Sequence, residues 1–175
     1  MATATREAAP EEVRAADECP ECLAGNLGWL LTQAHFNLVS EVGAALEPLG
    51  VSNRGYHVLA TARTGEYTQK ELAEQIGLDK TTMVVTVDEL EEKGLAERLP
   101  SSTDRRARVI SVTAAGERTV AQGQRIIDRI QDDVLRSLSA GERKVFLESL
   151  GSLVKDRLAQ PAPDSPPLRR REPRL

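Results

Sequence analysis

Three arginines crowd one short turn of the chain. The segment DRRAR places Arg105, Arg106 and Arg108 between two short apolar runs, and residues 98 to 108 carry four arginines against one aspartate. Guanidinium groups bind phosphate oxygens through charge-assisted hydrogen bonds, and an arginine that projects from a turn fits the narrow, electronegative minor groove of A·T-rich DNA. Asp104 stands two residues before Arg106, so we expect the two side chains to pair and lock the turn. The cluster predicts a phosphate-binding hairpin, with a solvated surface turn as the alternative.

Cys19 and Cys22 form a second reactive group, a C-x-x-C motif at the start of a predicted helix. Because a helix N-terminus stabilises a thiolate, a redox switch is one interpretation. A zinc site would need four ligands, and the only two histidines, His35 and His57, are distant from the cysteines in sequence. We therefore expect no metal, and two unreactive thiols are the simplest interpretation of the pair.

Composition narrows the functional class. The 175 residues carry a net charge of −4, and 40% of them are hydrophobic. An acidic average does not exclude a nucleic-acid partner, because DNA binding requires only a local basic surface. No segment approaches the roughly 18 apolar residues of a membrane span, and the N-terminus lacks the apolar core of a secretory signal, so we expect a cytoplasmic protein without membrane contact. The chain has neither a phosphate-binding glycine loop nor a plausible Ser/His/Asp set, so we expect neither an enzyme nor a cofactor.

The elements that must position the arginines form a helix-turn-helix followed by a hairpin. Thr68 and Glu71 form a capping box at the start of the first helix, and Asp79 caps the second. Leu95–Leu99 and Val109–Val112 then have the pattern of short strands on either side of the basic turn. Two short helices with a basic β-hairpin make a winged helix. The outer side of its second helix is expected to carry Lys80, Thr81, Thr82, Val85 and Thr86.

The rest of the chain divides by composition and periodicity. We expect a disordered acidic segment over residues 1–18, one domain over 19–159, and a disordered, basic, proline-rich tail over 160–175. Within the domain, the winged helix spans residues 52–112, a long helix spans 20–48, and two further helices span 113–158. The predicted fold class is mainly α: three helices and a small antiparallel β-wing, flanked by long N- and C-terminal dimerisation helices. These flanking helices are longer than the winged-helix core requires, which predicts a homodimer in which they bury against a second copy.

The runs LAEQIGLDKTTMVVTVDELEEKGLAER and DRRARVISVT, followed by a helix opened by TAAGE, resemble the MarR family of bacterial transcription regulators over about residues 22 to 158. The resemblance implies that the second helix enters the major groove of DNA, that Arg106 enters the minor groove, and that the first and last helices form the dimer. It implicates Lys80, Thr81, Thr82, Thr86, Asp104, Arg105 and Arg106, to which the residues themselves add Val85 and Arg108. Many family members have an arginine where this chain has Val85, so we expect specificity to depend more on the wing and on DNA shape.

Family members often bind small aromatic or phenolic compounds between the dimer helices and the DNA-binding lobe. Six side chains are predicted near that junction: Trp29, His35, Phe36, Arg54, Tyr56 and His57. Such side chains are more often part of a core.

The sequence as a whole predicts a sequence-specific regulator, a repressor, that binds a pseudo-palindromic operator on double-stranded DNA as a homodimer. Release by a small ligand or by oxidation is expected. A redox sensor switched through Cys19 and Cys22, and a winged helix used only for protein interaction, are the alternatives.

Overall fold

The computed structural model describes residues 23–104 and 106–159. Along the chain they form α1 (Leu27–Leu46), a 3-10 turn (Glu47–Leu49), α2 (Asn53–Ala62), α3 (Gln69–Ile76), α4 (Lys80–Glu92), β1 (Ala96–Pro100), β2 (Arg108–Val112), α5 (Ala114–Val134) and α6 (Ala140–Lys155). Helices predominate and the two strands form one antiparallel sheet, so the predicted mainly α, winged helix-turn-helix fold is confirmed. The predicted segments over residues 1–18 and 160–175 lie outside the described residues, as do Cys19, Cys22 and Arg105.

The described part of the chain divides into two compact units, which meet between Gly123 and Gln124 in the sequence. The single domain expected over residues 19–159 stays a prediction. In the described ranges no helix combines the length and the apolar character that a membrane crossing needs.

The first helix begins later than predicted. α1 starts at Leu27 because the Asn26 side chain caps it, with Asn26 Oδ1 accepting a hydrogen bond from the Trp29 amide at 2.9 Å. At the other end, the 3-10 turn leads to Gly50, whose φ of 69° lies in the left-handed region that glycine adopts without strain. The helix predicted over residues 20–48 thus corresponds to an α-helix over Leu27–Leu46 that is followed by the 3-10 turn.

The helix-turn-helix forms where its capping residues predict it. The Glu71 carboxylate accepts a hydrogen bond from the Thr68 amide at 2.7 Å, and Thr68 Oγ1 accepts one from the Glu71 amide at 3.3 Å. Gly77, with a φ of 67°, ends α3. Asp79 Oδ1 then accepts a hydrogen bond from the Thr82 amide at 2.9 Å and starts α4. Each cap satisfies amides that would otherwise lack a partner at a helix N-terminus, so these contacts fix where both helices begin.

The core of the first unit lies among α2, α3, α4 and the hairpin. Its largest fully buried side chains are Leu46, Val58, Leu59, Leu72, Met83, Val87, Ile110 and Val120. Gly123 of α5 completes it, because a Cβ at this position would lie 2.8 Å from Cδ2 of Tyr56 and 3.2 Å from Cδ2 of Leu46. The absence of a side chain thus allows the Tyr56 ring to pack directly on α5.

The hairpin pairs β1 with β2 and places Pro100 opposite Arg108 next to the turn. Each strand lies within one residue of its predicted position. The segment before α3 runs beside β2, where the Tyr67 carbonyl accepts a hydrogen bond from the Ile110 amide at 2.9 Å. The wing, defined here as residues 96–112, is therefore attached to the helix-turn-helix along one edge.

In the second unit, α5 ends at Val134. A turn follows, in which the Leu138 amide donates to the Leu135 carbonyl at 3.0 Å. Ser139 and Glu142 then form the capping box of α6. α6 and the residues after it leave six large apolar side chains exposed: Val145, Phe146, Leu147, Leu153, Val154 and Leu158.

Candidate nucleic-acid interface

The first two turns of α4 present an exposed face. Lys80 and Thr81 are exposed, and Val85 is 52% exposed. Thr81 and Val85 are four residues apart, so they lie one above the other on the helix. Thr82 is half-buried, and its hydroxyl donates to Asp79 Oδ2 at 2.6 Å. The Thr82 hydroxyl therefore serves the helix cap, and the face accessible to a partner consists mainly of the other three side chains.

Thr86 does not lie on the outer side of α4, contrary to the prediction. It is 4% exposed, and its hydroxyl donates to the Thr82 carbonyl at 2.7 Å. Thr86 lies three residues after Met83 and four before Leu90, both of which are buried, and this spacing places it on the inner side of the helix. Thr86 is therefore corrected from a predicted DNA contact to a core residue.

Beyond Val85 the exposed surface of α4 becomes acidic. Asp88, Glu89 and Glu92 are all exposed, and Glu89 follows Val85 by four residues on the same face. Carboxylates repel the phosphates of a nucleic acid. Only the first two turns of α4 therefore suit a polyanionic partner.

The turn between β1 and β2 is held by main-chain hydrogen bonds, not by the predicted ion pair. Asp104 Oδ1 accepts a hydrogen bond from the Arg106 amide at 2.9 Å, and the Asp104 carbonyl accepts one from the Ala107 amide at 2.9 Å. In residues 23–104 and 106–159, Arg106 forms no ion pair; the Asp104 carboxylate that was expected to bind its guanidinium accepts a hydrogen bond from its main-chain amide instead. Arg106 and Arg108 are both exposed and so remain accessible to a partner.

Arg98, the fourth arginine of the sequence cluster, is engaged in internal contacts. Its guanidinium forms ion pairs with Asp88 at 2.6 Å and with Glu91, and donates to Gln69 Oε1 at 3.2 Å. Asp88 and Glu91 belong to α4, while Gln69 opens α3. Arg98 therefore ties β1 to both helices of the helix-turn-helix and adds no free positive charge to the wing.

A contact that the sequence pattern did not predict holds the start of the turn. Glu66 Oε2 accepts hydrogen bonds from the Ser102 amide and from the Ser101 hydroxyl, both at 3.1 Å. These bonds, from Ser102 first and then from Ser101, lower the pKa of the Glu66 carboxyl below its ordinary value. Glu66 and Ser101 are 35 residues apart in the chain, and no local signal connects them.

The six candidate ligand residues differ in exposure. Tyr56 is 4% exposed, packs on Gly123, and meets the His57 ring edge-on at a centroid separation of 5.9 Å. Although His57 is exposed overall, partial desolvation of its imidazole lowers its pKa. Trp29 is half-buried, and the exposed candidates are His35, Phe36, Arg54 and His57. Tyr56 is therefore a core residue, and a ligand role for the other five stays a prediction.

The part of the chain that the structure describes contains no group of three or more His, Cys, Asp or Glu side chains arranged to hold a metal ion. The C-x-x-C motif lies outside those residues, so its role also stays a prediction.

The known proteins that this chain resembles in structure are transcription regulators. Residues 51–107 match the MarR family model. CouR from Rhodococcus jostii RHA1, solved with p-coumaroyl-CoA, is 28% identical with a TM-score of 0.71, and the match covers 81% of this chain and 97% of CouR. A MarR-family transcriptional regulator from Rhodococcus sp. RHA1 is 27% identical with a TM-score of 0.69, over 81% of this chain and 99% of that one. A variant of MarR from E. coli, solved with operator DNA, is 25% identical with a TM-score of 0.64, over 75% of this chain and 93% of that one.

The family match and the structural neighbours agree with the resemblance carried by the helix-turn-helix and the wing. They also support the expectation that the chain is not an enzyme, because the proteins it matches are regulators. Together they show that residues 51–107 match the MarR family model and that the structural neighbours of this chain include MarR-family transcription regulators.

Proposed function

We propose that this protein is a cytoplasmic regulator that binds double-stranded DNA sequence-specifically as a homodimer and represses transcription from a pseudo-palindromic operator. One observation carries the proposal. The start of α4 and the wing each present exposed groups suited to DNA: Lys80 and Thr81 on the helix, Arg106 in the turn and Arg108 at the start of β2. Arg98, by contrast, is held by internal contacts. An interaction module would not need cations kept accessible in this way.

In this proposal, α4 mainly positions the protein on the DNA. The amides at the start of a helix and a lysine in its first turn favour phosphate, so Lys80 and Thr81 are proposed to contact the DNA backbone as α4 enters the major groove. Val85 offers only an apolar surface to base edges. The acidic surface that follows Val85 limits how far α4 can enter.

The wing is proposed to supply most of the affinity for DNA. Arg106 is proposed to enter the minor groove, and Arg108 to approach the adjacent phosphates; Arg105 is assigned to the same surface from its place in the sequence. A narrow A·T-rich minor groove has an enhanced negative potential that attracts such side chains. Asp104 is assigned a structural role, because it holds the Arg106 main chain.

A homodimer is proposed from the apolar surface that each unit exposes. α1 exposes Leu27, Leu30, Phe36 and Leu38, and Phe36 is 70% exposed. α6 separately exposes the apolar side chains named above. Large contiguous apolar surface is uncommon on a monomer and marks an interface, and a two-fold dimer would address half-sites about 34 Å apart.

Release from DNA by a small ligand is the regulatory part of the proposal. CouR holds p-coumaroyl-CoA, which makes this thioester a suitable first probe. A fall in DNA affinity with p-coumaroyl-CoA, but not with coenzyme A alone, would support release by a ligand of this class. For the oxidative alternative, diamide should weaken DNA binding by the wild type and leave a Cys19→Ser, Cys22→Ser double variant unchanged.

The central test measures binding to a labelled duplex from the region upstream of the protein's own gene, by fluorescence anisotropy at several salt concentrations. Replacing Arg106 by Ala should weaken binding about tenfold, and the slope of log affinity against log salt should decrease by about 0.9 for each phosphate that is no longer neutralised. Arg136→Ala is the matched control, since Arg136 is an exposed arginine outside the winged helix that pairs only with Asp133 among the described residues. If Arg106→Ala and Arg136→Ala bound alike, with unchanged slopes, the protein-interaction module would be the better description.

A further inference from the structure

Glu66 lies in the loop between α2 and α3, immediately before the segment that runs beside β2. Its side chain reaches the opposite strand of the hairpin, where the chain leaves β1. There a single carboxylate oxygen accepts hydrogen bonds from the Ser101 hydroxyl and the Ser102 amide, each at 3.1 Å. Glu66 therefore connects the body of the winged helix to the start of the wing turn.

Ser101 links Glu66 to other residues of the turn through hydrogen bonds. It is only 9% exposed, although it belongs to a surface turn. Its hydroxyl donates to Glu66 and accepts a hydrogen bond from the Thr103 amide at 3.2 Å, while its own amide donates to the Ala107 carbonyl at 3.0 Å. Both ends of the turn are thus joined to the residue that Glu66 holds.

The far side of the turn continues the same chain of contacts. Asp104 accepts hydrogen bonds from the amides of Arg106 and Ala107. Because Ala107 is bonded to Ser101 on one side and to Asp104 on the other, the Arg106 main chain is fixed, through these bonds, by contacts that begin at Glu66.

We propose that Glu66 is the positioning residue of the wing: its carboxylate holds the turn in the orientation that presents Arg106 to DNA. This inference rests on the proposed DNA-binding function and adds a residue that neither the family resemblance nor the sequence pattern assigned. The lowered pKa of Glu66 agrees with it, because the hydrogen bonds from Ser102 and Ser101 stabilise the charged form of the carboxylate.

Charge alone would give Glu66 the opposite effect. A carboxylate beside a DNA-binding loop repels phosphate, so its removal should strengthen binding if repulsion were its main contribution. If positioning is its main contribution, its removal should weaken binding. The sign of the change therefore separates the two accounts.

The affinity experiment compares variants of the full chain on the operator duplex. Glu66→Ala should weaken binding about tenfold, the effect of losing hydrogen bonds to a charged group, and should lower the salt slope as Arg106→Ala does. Glu97→Ala is the control, because Glu97 is an exposed glutamate on β1 whose side chain forms no hydrogen bond or ion pair within residues 23–104 and 106–159; its binding should be unchanged or tighter. Glu66→Gln keeps an acceptor oxygen without the charge and should restore most of the affinity. Tighter binding by Glu66→Ala would overturn the proposal.

A second variant guards against a folding defect. Ser101→Ala removes the hydroxyl and leaves the charge of the protein unchanged, so it should weaken binding in the same direction as Glu66→Ala. The two changes combined should cost less than the sum of their separate effects, because they remove the same contact. Strict additivity would show that Glu66 and Ser101 act independently and would contradict the proposal.

A readout without DNA separates this proposal from the proposed function. Amide hydrogen exchange at Ser102 and Thr103, followed by NMR in the free protein, should accelerate in Glu66→Ala and stay at the wild-type rate in Glu97→Ala. If the wild type bound no DNA but this difference appeared, DNA binding would fail while the positioning of the turn by Glu66 would stand. Equal exchange rates in the two variants would refute the positioning role.

Discussion

Replacing Arg98 by Ala should destabilise the winged helix while leaving the number of DNA phosphate contacts unchanged. Arg98 is 27% exposed and pairs with Glu91, which is 31% exposed, and with Asp88, which is 52% exposed. Removing one partner of a fully buried pair costs about 3–5 kcal/mol, and an exposed pair contributes about 0–1 kcal/mol. The intermediate exposure of this cluster therefore places the expected destabilisation near 2 kcal/mol. The substitution leaves two carboxylates without their cation.

Thermal unfolding followed by circular dichroism, at fixed protein concentration, measures this destabilisation. A change of about 2 kcal/mol should lower Tm by about 4–8 °C for a chain of this length. Arg63→Ala is the matched control, because Arg63 forms one pair with Glu117 at 3.3 Å and both side chains are more than 40% exposed; its Tm should fall by less than about 4 °C.

Arg98→Lys sharpens the test. A single ammonium cannot reproduce the planar fork that reaches three acceptors, so Lys should recover less than half of the missing stability. The reasoning would be refuted if Arg98→Ala and Arg63→Ala melted together, or if Lys restored the wild-type Tm. It would also be refuted if Arg98→Ala lowered the salt slope of DNA binding as much as Arg106→Ala, because Arg98 would then be a phosphate contact.

Three further outcomes follow from the structure. Gly123→Ala should lower stability by about 1 kcal/mol in urea unfolding, because overpacking against the Tyr56 ring costs about 1–3 kcal/mol and exceeds the gain of about 1 kcal/mol in helix propensity; a stabilised variant would contradict this. The lowered pKa values of Glu71 and Glu142, caused by bonds to their capping partners, predict stability that is complete above pH 4.5, the ordinary carboxyl value, and falls as the pH drops below it. Glu71→Gln should flatten that fall, and an unchanged pH profile would exclude the cap as its source. Replacing thymine by uracil at the operator position that faces Val85 should weaken wild-type binding, since an apolar side chain recognises the thymine methyl, and should leave Val85→Ala little affected; equal effects on both proteins would exclude that contact.

The features predictable from sequence are those fixed by a few neighbouring residues. The caps at Thr68, Asp79 and Ser139 each depend on a side chain and an amide three residues later, so the helix starts they define are determined locally. The strands flanking the basic turn and the family resemblance depend on equally local patterns. The start of α1 is harder to predict, because Asn26 competes with several other plausible starts.

The errors within the candidate site arise from the side on which a residue lies and from partners distant in sequence. Thr86 could have been placed correctly, because its spacing from Met83 and Leu90 is the spacing of a buried helix face. The internal pairing of Arg98 could not have been predicted, because nothing in the sequence around a strand arginine indicates which carboxylates a neighbouring helix brings close to it. Asp104 was correctly identified as holding the turn, but the amide of Arg106, not its guanidinium, is the partner.

The inward position of Thr86 limits what this protein can read. With that hydroxyl bonded inside α4, the helix presents only Lys80, Thr81 and Val85 to the proposed major groove. Three side chains can distinguish only a few base pairs. A genome offers about 10⁶ or more competing sites, so these contacts alone give little specificity. If the protein binds the proposed two-half operator, most of its specificity must therefore come from the spacing of the two half-sites and from the width of the minor groove. Such regulators should diverge in evolution by accepting a different half-site spacing sooner than by recognising different bases.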